Sequence, residues 1–208
     1  MKGVFVTSQI KAVIFDQGGV LSRGGEKGTN EKAASQTMGL DYVIDIPDLI
    51  EDLKRGKIGN SQFVREINRR YPHAPQKLSD RMWDDIYASL RPEPLSYEFA
   101  RRCSESGRRI GLLSNINPAI AEMLCADGSY NGFNPLVLSC YVGYAKPDPE
   151  IYAVVEAGLP GIAPEEILLL DDQAKCVNGA LSRGWQAMLV TSPEQMVQDA
   201  SVFLELAR

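Results

Sequence analysis

Lys11-Ala12-Val13-Ile14-Phe15-Asp16-Gln17-Gly18-Gly19-Val20 is the stretch on which the fold turns. An apolar run rich in β-branched and aromatic side chains stops on a carboxylate, and two glycines follow. That pattern predicts a buried strand over 11–15 and then a turn. Similar short runs recur at 109–113, 136–138, 167–170 and 187–190. Helix-type stretches separate them. The first, 94–106, carries Leu95, Phe99 and Cys103 on one face and stops at Gly107. Another, 118–126, opens with a proline inside its first turn. The others are 149–157, with Ile151, Val154 and Val155 before Gly158, and 177–183, before Gly184. Strands alternating with helices predict an α/β fold, a parallel sheet with helices on both faces.

The stretch 23–92 reads differently. It has few strand-type runs and many charges, and 44–53, 60–70 and 78–90 have the period of amphipathic helices. Asn60 or Ser61, and Ser79, are the expected N-caps. We therefore expect a small helical insert after the first strand. Its linkers would be 23–28 and 91–94, with a core of 1–22 and 93–208 around it. The glycines and single lysine of 23–28 are too irregular for a phosphate-binding loop, and no Walker A sequence occurs.

Composition excludes several function classes. The chain has 208 residues, enough for one well-cored domain and an insert. A net charge of −5 argues against nucleic acid as a partner. The cysteines Cys103, Cys125, Cys140 and Cys176 are widely spaced, which predicts reduced thiols and, with them, a cytoplasmic protein. The first residues are broken by Lys2, Thr7 and Ser8 too early for a signal sequence, and no apolar stretch is long enough to span a membrane. One histidine, His73, stands between Pro72 and Ala74 in a loop-like setting. It rules out a multi-histidine zinc site and leaves little basis for a serine triad.

In an open α/β sheet, ligands bind beyond the carboxyl ends of the strands. Asp16, Ser114 and Asp171-Asp172 all fall at such ends. A carboxylate such as Asp16 can attack phosphorus and divide hydrolysis into two steps. Adjacent carboxylates at the end of a buried strand repel unless a cation joins them, and oxygen ligands favour Mg²⁺. Lys146, just before a proline-started helix, can neutralise both a nucleophile and phosphoryl oxygens. Ser114 can donate to a phosphoryl oxygen.

The ordered set resembles the haloacid dehalogenase-like (HAD) hydrolase superfamily along nearly the whole chain. Phe15-Asp16-Gln17-Gly18-Gly19-Val20-Leu21 matches the first motif and Leu113-Ser114-Asn115 the second. Tyr144-Ala145-Lys146-Pro147-Asp148-Pro149-Glu150-Ile151-Tyr152 matches the third, the most specific of the four. Leu170-Asp171-Asp172 with Gly179-Ala180 matches the fourth. The resemblance implies a Rossmannoid core with a helical cap inserted after the first strand. It implies Asp16 as nucleophile and Mg²⁺ ligand, with the Gly18 carbonyl and Asp172 as further ligands and Asp171 acting through water or Lys146. Ser114, Asn115 and Lys146 would hold the phosphoryl group of a small phosphorylated substrate.

Two positions depart from that pattern. Phosphatases of the family usually carry Asp two residues after the nucleophile, as general acid and base, where this chain has Gly18. Members resembling sugar-1-phosphate phosphatases also carry Gly there, with a Ser-Asn-x-Asn second motif like Ser114-Asn115-Ile116-Asn117. The expected substrates are then esters with a good leaving group, or a cap residue such as Glu26, Asp41 or Asp45 supplies the proton. Tyr42, Trp83 and Tyr87 would either line the pocket or pack the cap. Cys176 stands where relatives commonly have Asn, so the fourth-motif loop is expected to be less rigid or differently braced. Two other readings share the fold. A carbon–halogen hydrolase needs no metal but typically carries Tyr at the position of Gly18. A non-catalytic descendant would show losses like Gly18 and Cys176, yet Asp16, Lys146 and Asp172 all stand. A phosphomutase would need the acid/base group that Gly18 lacks.

Overall fold

The computed structural model describes residues 10–24 and 28–206. In chain order the strands are β1 (Ala12–Phe15), β2 (Ser22–Arg23), β3 (Arg91–Pro92), β4 (Arg109–Ser114), β5 (Leu136–Leu138), β6 (Ile167–Asp171) and β7 (Gln186–Leu189). The main sheet is parallel, in the order β5-β4-β1-β6-β7, so β1 lies at its centre. Phe15 is in register with Leu112 on one side and Leu170 on the other.

Side chains alternate strictly between the two faces of the sheet. Val13, Phe15, Leu112, Leu168 and Leu170 belong to one apolar cluster, whereas Ala12, Ile14, Leu113, Ile167 and Leu169 belong to a second. This is the two-residue period of a strand. With both faces covered, such strands read as continuous apolar runs, as these do.

The helices are α1 (Thr29–Thr37), α2 (Pro47–Lys54), α3 (Asn60–Arg70), α4 (Arg81–Ser89), α5 (Pro94–Glu105), α6 (Pro118–Ala126), α7 (Ser139–Val142), α8 (Pro149–Ala157), α9 (Ala174–Ser182) and α10 (Pro193–Phe203). Ile151, Tyr152 and Val155 of α8 and Ala180 of α9 cover the Ile14 face. Phe99 and Cys103 of α5, Ala121 and Leu124 of α6 and Met196 of α10 join the cluster on the Phe15 face. Helices α1 to α4 lie between β2 and β3, which pair antiparallel, Ser22 opposite Pro92 and Arg23 opposite Arg91. Leu53, Phe63, Ile67, Met82 and Trp83 of these helices belong to the same cluster as Phe15. The insert and that face of the sheet therefore share one apolar core.

Several local expectations need correction. The helix expected over 44–53 starts at Pro47, 78–90 shortens to Arg81–Ser89, and 177–183 starts earlier, at Ala174. Asn60 and Ser61 are already helical; Gly59 holds the cap position of α3 in extended backbone. Asp80, not Ser79, precedes α4, and no side chain bonds the helix start there. Asn117 does cap α6, its Oδ1 accepting from the Ile120 amide at 2.9 Å. Glu26, the middle of the linker 23–28 and the N-terminal start lie outside the described residues. His73 is exposed in a turn, and all four cysteines are free. Among the described residues no helix is long and apolar enough to cross a membrane.

Candidate active site

The carboxyl ends of β1, β4 and β6 meet at the centre of the sheet. Asp16 follows β1 directly, and its amide donates to the Leu170 carbonyl at 2.9 Å, so the parallel ladder runs up to the carboxylate itself. Ser114 and Asp171 are the last residues of β4 and β6. All three are buried. Lys146 arrives from the loop before α8 and is only 1% exposed.

The Lys146 ammonium bridges two carboxylates, with Nζ 2.9 Å from Asp16 Oδ1 and 2.6 Å from Asp171 Oδ2. The Gln17 amide donates to Asp16 Oδ1 at 2.7 Å, and the Gln173 amide to Asp171 Oδ1 at 2.8 Å. Backbone thus orients both carboxylates. Oxygens of Asp16, Asp171 and Asp172 all lie within 4.8 Å of one another.

The charges strain against burial. Desolvation pushes the Asp16 carboxyl up, Lys146 pulls it down, and Asp171 and Asp172 push it up again; the result is above the ordinary carboxylate range. Burial opposes the charge on Lys146, yet Asp16 and then Asp171 more than offset it and hold the ammonium protonated. Burial, then Asp171, raises Asp172. Two buried carboxylates, Asp16 and Asp171, and the exposed Asp172 beside them face one buried ammonium. A divalent, oxygen-binding cation fits that imbalance, and the donor set is of the kind Mg²⁺ takes.

The loops carrying these groups are tied together. Asn115 Oδ1 accepts from the Lys146 amide and its Nδ2 donates to the Lys146 carbonyl, both at 2.8 Å. Asn115, expected to help hold a phosphoryl group, has its side-chain oxygen and nitrogen both bonded to the backbone of Lys146. Ser139, which sequence reasoning missed, accepts from the Ile116 amide at 2.9 Å and braces the loop after Ser114. Nothing local marks Ser139, because its partner lies on another strand's loop. Gly19 has φ +75°, and a Cβ there would sit 2.5 Å from Asp172 Oδ2. Only glycine lets the first-motif turn approach the fourth-motif acid so closely.

The loop after β6 is braced without an Asn at position 176. Gln173 holds Asp171, and the Tyr152 hydroxyl donates to the Cys176 carbonyl at 2.8 Å. Burial pushes the Cys176 thiol up to about 12, so it stays protonated and unreactive. Trp83 packs on Phe63, with ring centroids 5.5 Å apart, inside the insert's core. Tyr42, Asp41 and Asp45 are exposed. Tyr87 borders a cleft of about 230 Å³ that also touches Gln17 and Tyr97.

Known structures share this architecture. A HAD-like family hydrolase of Porphyromonas gingivalis superposes with a TM-score of 0.74 at 23% identity, over 95% of this chain and 98% of that one. A HAD family enzyme of Bacteroides thetaiotaomicron, in complex with magnesium and inorganic phosphate, gives 0.71 at 21% identity, over 88% and 95%. The L-2-haloacid dehalogenase of Xanthobacter autotrophicus gives 0.59 at 20%, over 93% and 83%. At these identities the likeness is one of fold. In sequence, a phosphoserine phosphatase of Thermus thermophilus is 29% identical over 134 residues, 62% of this chain. The chain spans about half, 53%, of that relative's length. The family model for haloacid dehalogenase-like hydrolases matches residues 10–180, from the start of β1 through the fourth motif, and the chain belongs to that family.

Proposed function

We propose that the chain is a Mg²⁺-dependent phosphomonoesterase of small phosphorylated molecules, with Asp16 as the nucleophile. The observation that carries the reading is the Lys146 ammonium set between Asp16 and Asp171, with Asp172 completing a carboxylate trio. A metal-free carbon–halogen hydrolase would not need that trio. The relative named a phosphoserine phosphatase supports the same class of reaction.

Asp16 forms the new O–P bond while the ester P–O bond breaks, and water then cleaves the aspartyl-phosphate. The Gln17 amide and Lys146 preset its carboxylate for attack. Lys146 and Ser114 face the phosphoryl oxygens. Asp16, Asp172, Asp171 and the Gly18 carbonyl would hold Mg²⁺, which supplies charge neutralisation for the carboxylates and the phosphoryl group. Residues 23–92 act as a cap that selects the substrate and excludes water.

Gly18 brings no side chain to protonate the leaving oxygen. A positioned general acid contributes about 10²–10⁴-fold, so esters of poor leaving groups are turned over slowly by comparison. The test is hydrolysis of a panel of aryl, acyl, anomeric and alkyl phosphates, with Mg²⁺ and with chelator. Metal-dependent release that falls steeply as leaving-group pKa rises is the expected result. A flat dependence would place a proton donor elsewhere, and no release from any ester by folded protein would defeat the reading.

Gly19→Ala tests the metal-site geometry separately. The methyl group must push Asp172 aside and the backbone must leave φ +75°. Displacing a group packed on a metal ligand typically costs about 10–100-fold in metal affinity. Titration of Mg²⁺ by calorimetry should show a loss in that range; unchanged affinity would remove Asp172 from the ligand set.

A further inference from the structure

The cap touches the core through a turn that also reaches the loop of Lys146. Arg55 caps the end of α2, where its Nε donates to Glu51 Oε1 at 2.5 Å and its Nη1 to Asp148 Oδ2. Asp148 Oδ2 also accepts from the Ala145 amide at 3.2 Å, closing the turn from which Lys146 extends. The other side of that turn is held by Asn115. The Arg55 and Asp148 side chains are 21% and 28% exposed, sheltered enough for their pairing to exceed that of open surface charges.

The residue after Arg55 strengthens the case. Gly56 has φ +65°, and a Cβ there would collide with the Cys140 carbonyl oxygen, so the cap turn lies directly against α7. Ser139, the first residue of α7, braces Ile116 in the loop after Ser114. One cap turn therefore abuts the supports of both loops that carry Ser114 and Lys146.

We propose that Arg55 is a positioning residue that acts through Asp148 on the loop carrying Lys146, and so couples the seating of the cap to assembly of the phosphoryl site. The catalytic consequence rests on the phosphomonoesterase reading; the mechanical coupling does not.

The experiment measures amide hydrogen exchange at Ala145 and Lys146 alongside kcat and KM for the best ester of the panel. The proteins are the parent, Arg55→Ala, Arg55→Lys, Asp148→Asn and Tyr87→Phe. Tyr87 bonds Asp127, a cap–core contact that does not involve the Lys146 loop. Coupling between sites usually amounts to about 5–150-fold, and Arg55→Ala should accelerate exchange at both amides and lower kcat within that range, with KM less affected. Asp148→Asn should do the same. Arg55→Lys keeps the charge without the forked geometry and should recover part of both. Tyr87→Phe should leave the two amides at parental protection.

Parental exchange in Arg55→Ala overturns the proposal. So does equal acceleration by Tyr87→Phe, which would mean general loosening, or faster exchange with unchanged kcat in an active enzyme. If the parent hydrolyses no ester, the exchange data still decide the coupling, and the phosphomonoesterase reading alone falls.

Discussion

Lys146→Met, in protein kept with chelator, loses roughly 3–5 kcal/mol of stability, because removing one partner of a buried ion pair strands the charge of the other. Here two carboxylates are stranded. Asp16 and Asp171 share the single ammonium, and both are buried. Methionine has nearly the same reach as the lysine stem, so the loss is electrostatic rather than a cavity. Small domains have only about 5–15 kcal/mol in total, so the shift in urea midpoint should be plain. Mg²⁺ should return part of the stability, since it replaces positive charge at the trio. Activity should not return with it, because the group proposed to face the phosphoryl oxygens is gone; one oriented donor to a developing charge is worth about 10²–10³-fold. A variant as stable as the parent without metal would mean that water reaches these carboxylates.

Asp16→Asn separates catalysis from stability in the opposite direction. On the phosphomonoesterase reading, loss of the proposed nucleophile should end measurable ester hydrolysis, because the first of the two steps cannot occur. Stability in metal-free protein should rise. The folded pKa of Asp16 lies above its unfolded value, so its contribution is most favourable below the unfolded pKa and is lost as pH rises through the folded one. Asparagine resembles the protonated form at every pH. Chelated Asp16→Asn should therefore melt above the parent at pH 8, and the gap should close as pH falls towards 4. Lys146 keeps a partner throughout, because Asp171 remains. Equal melting curves across that range would mean that Asp16 is not destabilised by burial, and retained hydrolysis would move the nucleophile to another residue.

How much of this was legible in the sequence depended on how local each signal is. The runs ending at Asp16, Ser114 and Asp171 announced strands, and the rule that ligands gather at their carboxyl ends placed them together. The bridging position of Lys146 followed from no spacing, because its loop reaches the site from another part of the chain. Asn115 was legible as a motif residue but not as a clamp, since its partner lies 31 residues away. Helix α1 escaped because among its residues only Ala34 and Ser35 are buried, which leaves no apolar period to read. Helix α10 carries a clear start, Ser192 accepting from the Gln195 amide at 3.1 Å, yet it follows the last motif and was passed over. The expected caps at Asn60 and Ser79 failed because the helices begin one residue away from the expected places, after Gly59 and Asp80, with no side-chain cap at either.

The two-residue ribbon of β2 and β3 has a consequence for how such a protein diversifies. Arg23 and Arg91 stand opposite each other, so the chain leaves for the insert and returns from it at neighbouring points. A different insert can be spliced in at that doorway without altering the path of the central strand, as insertions are tolerated where their ends lie close together. The common apolar cluster sets the condition on the newcomer: it must bring side chains that cover what Leu53, Phe63 and Trp83 cover now. A replacement insert would therefore be free in topology and constrained in surface, and on the proposed cap role it would change the substrate by recutting one face of the module.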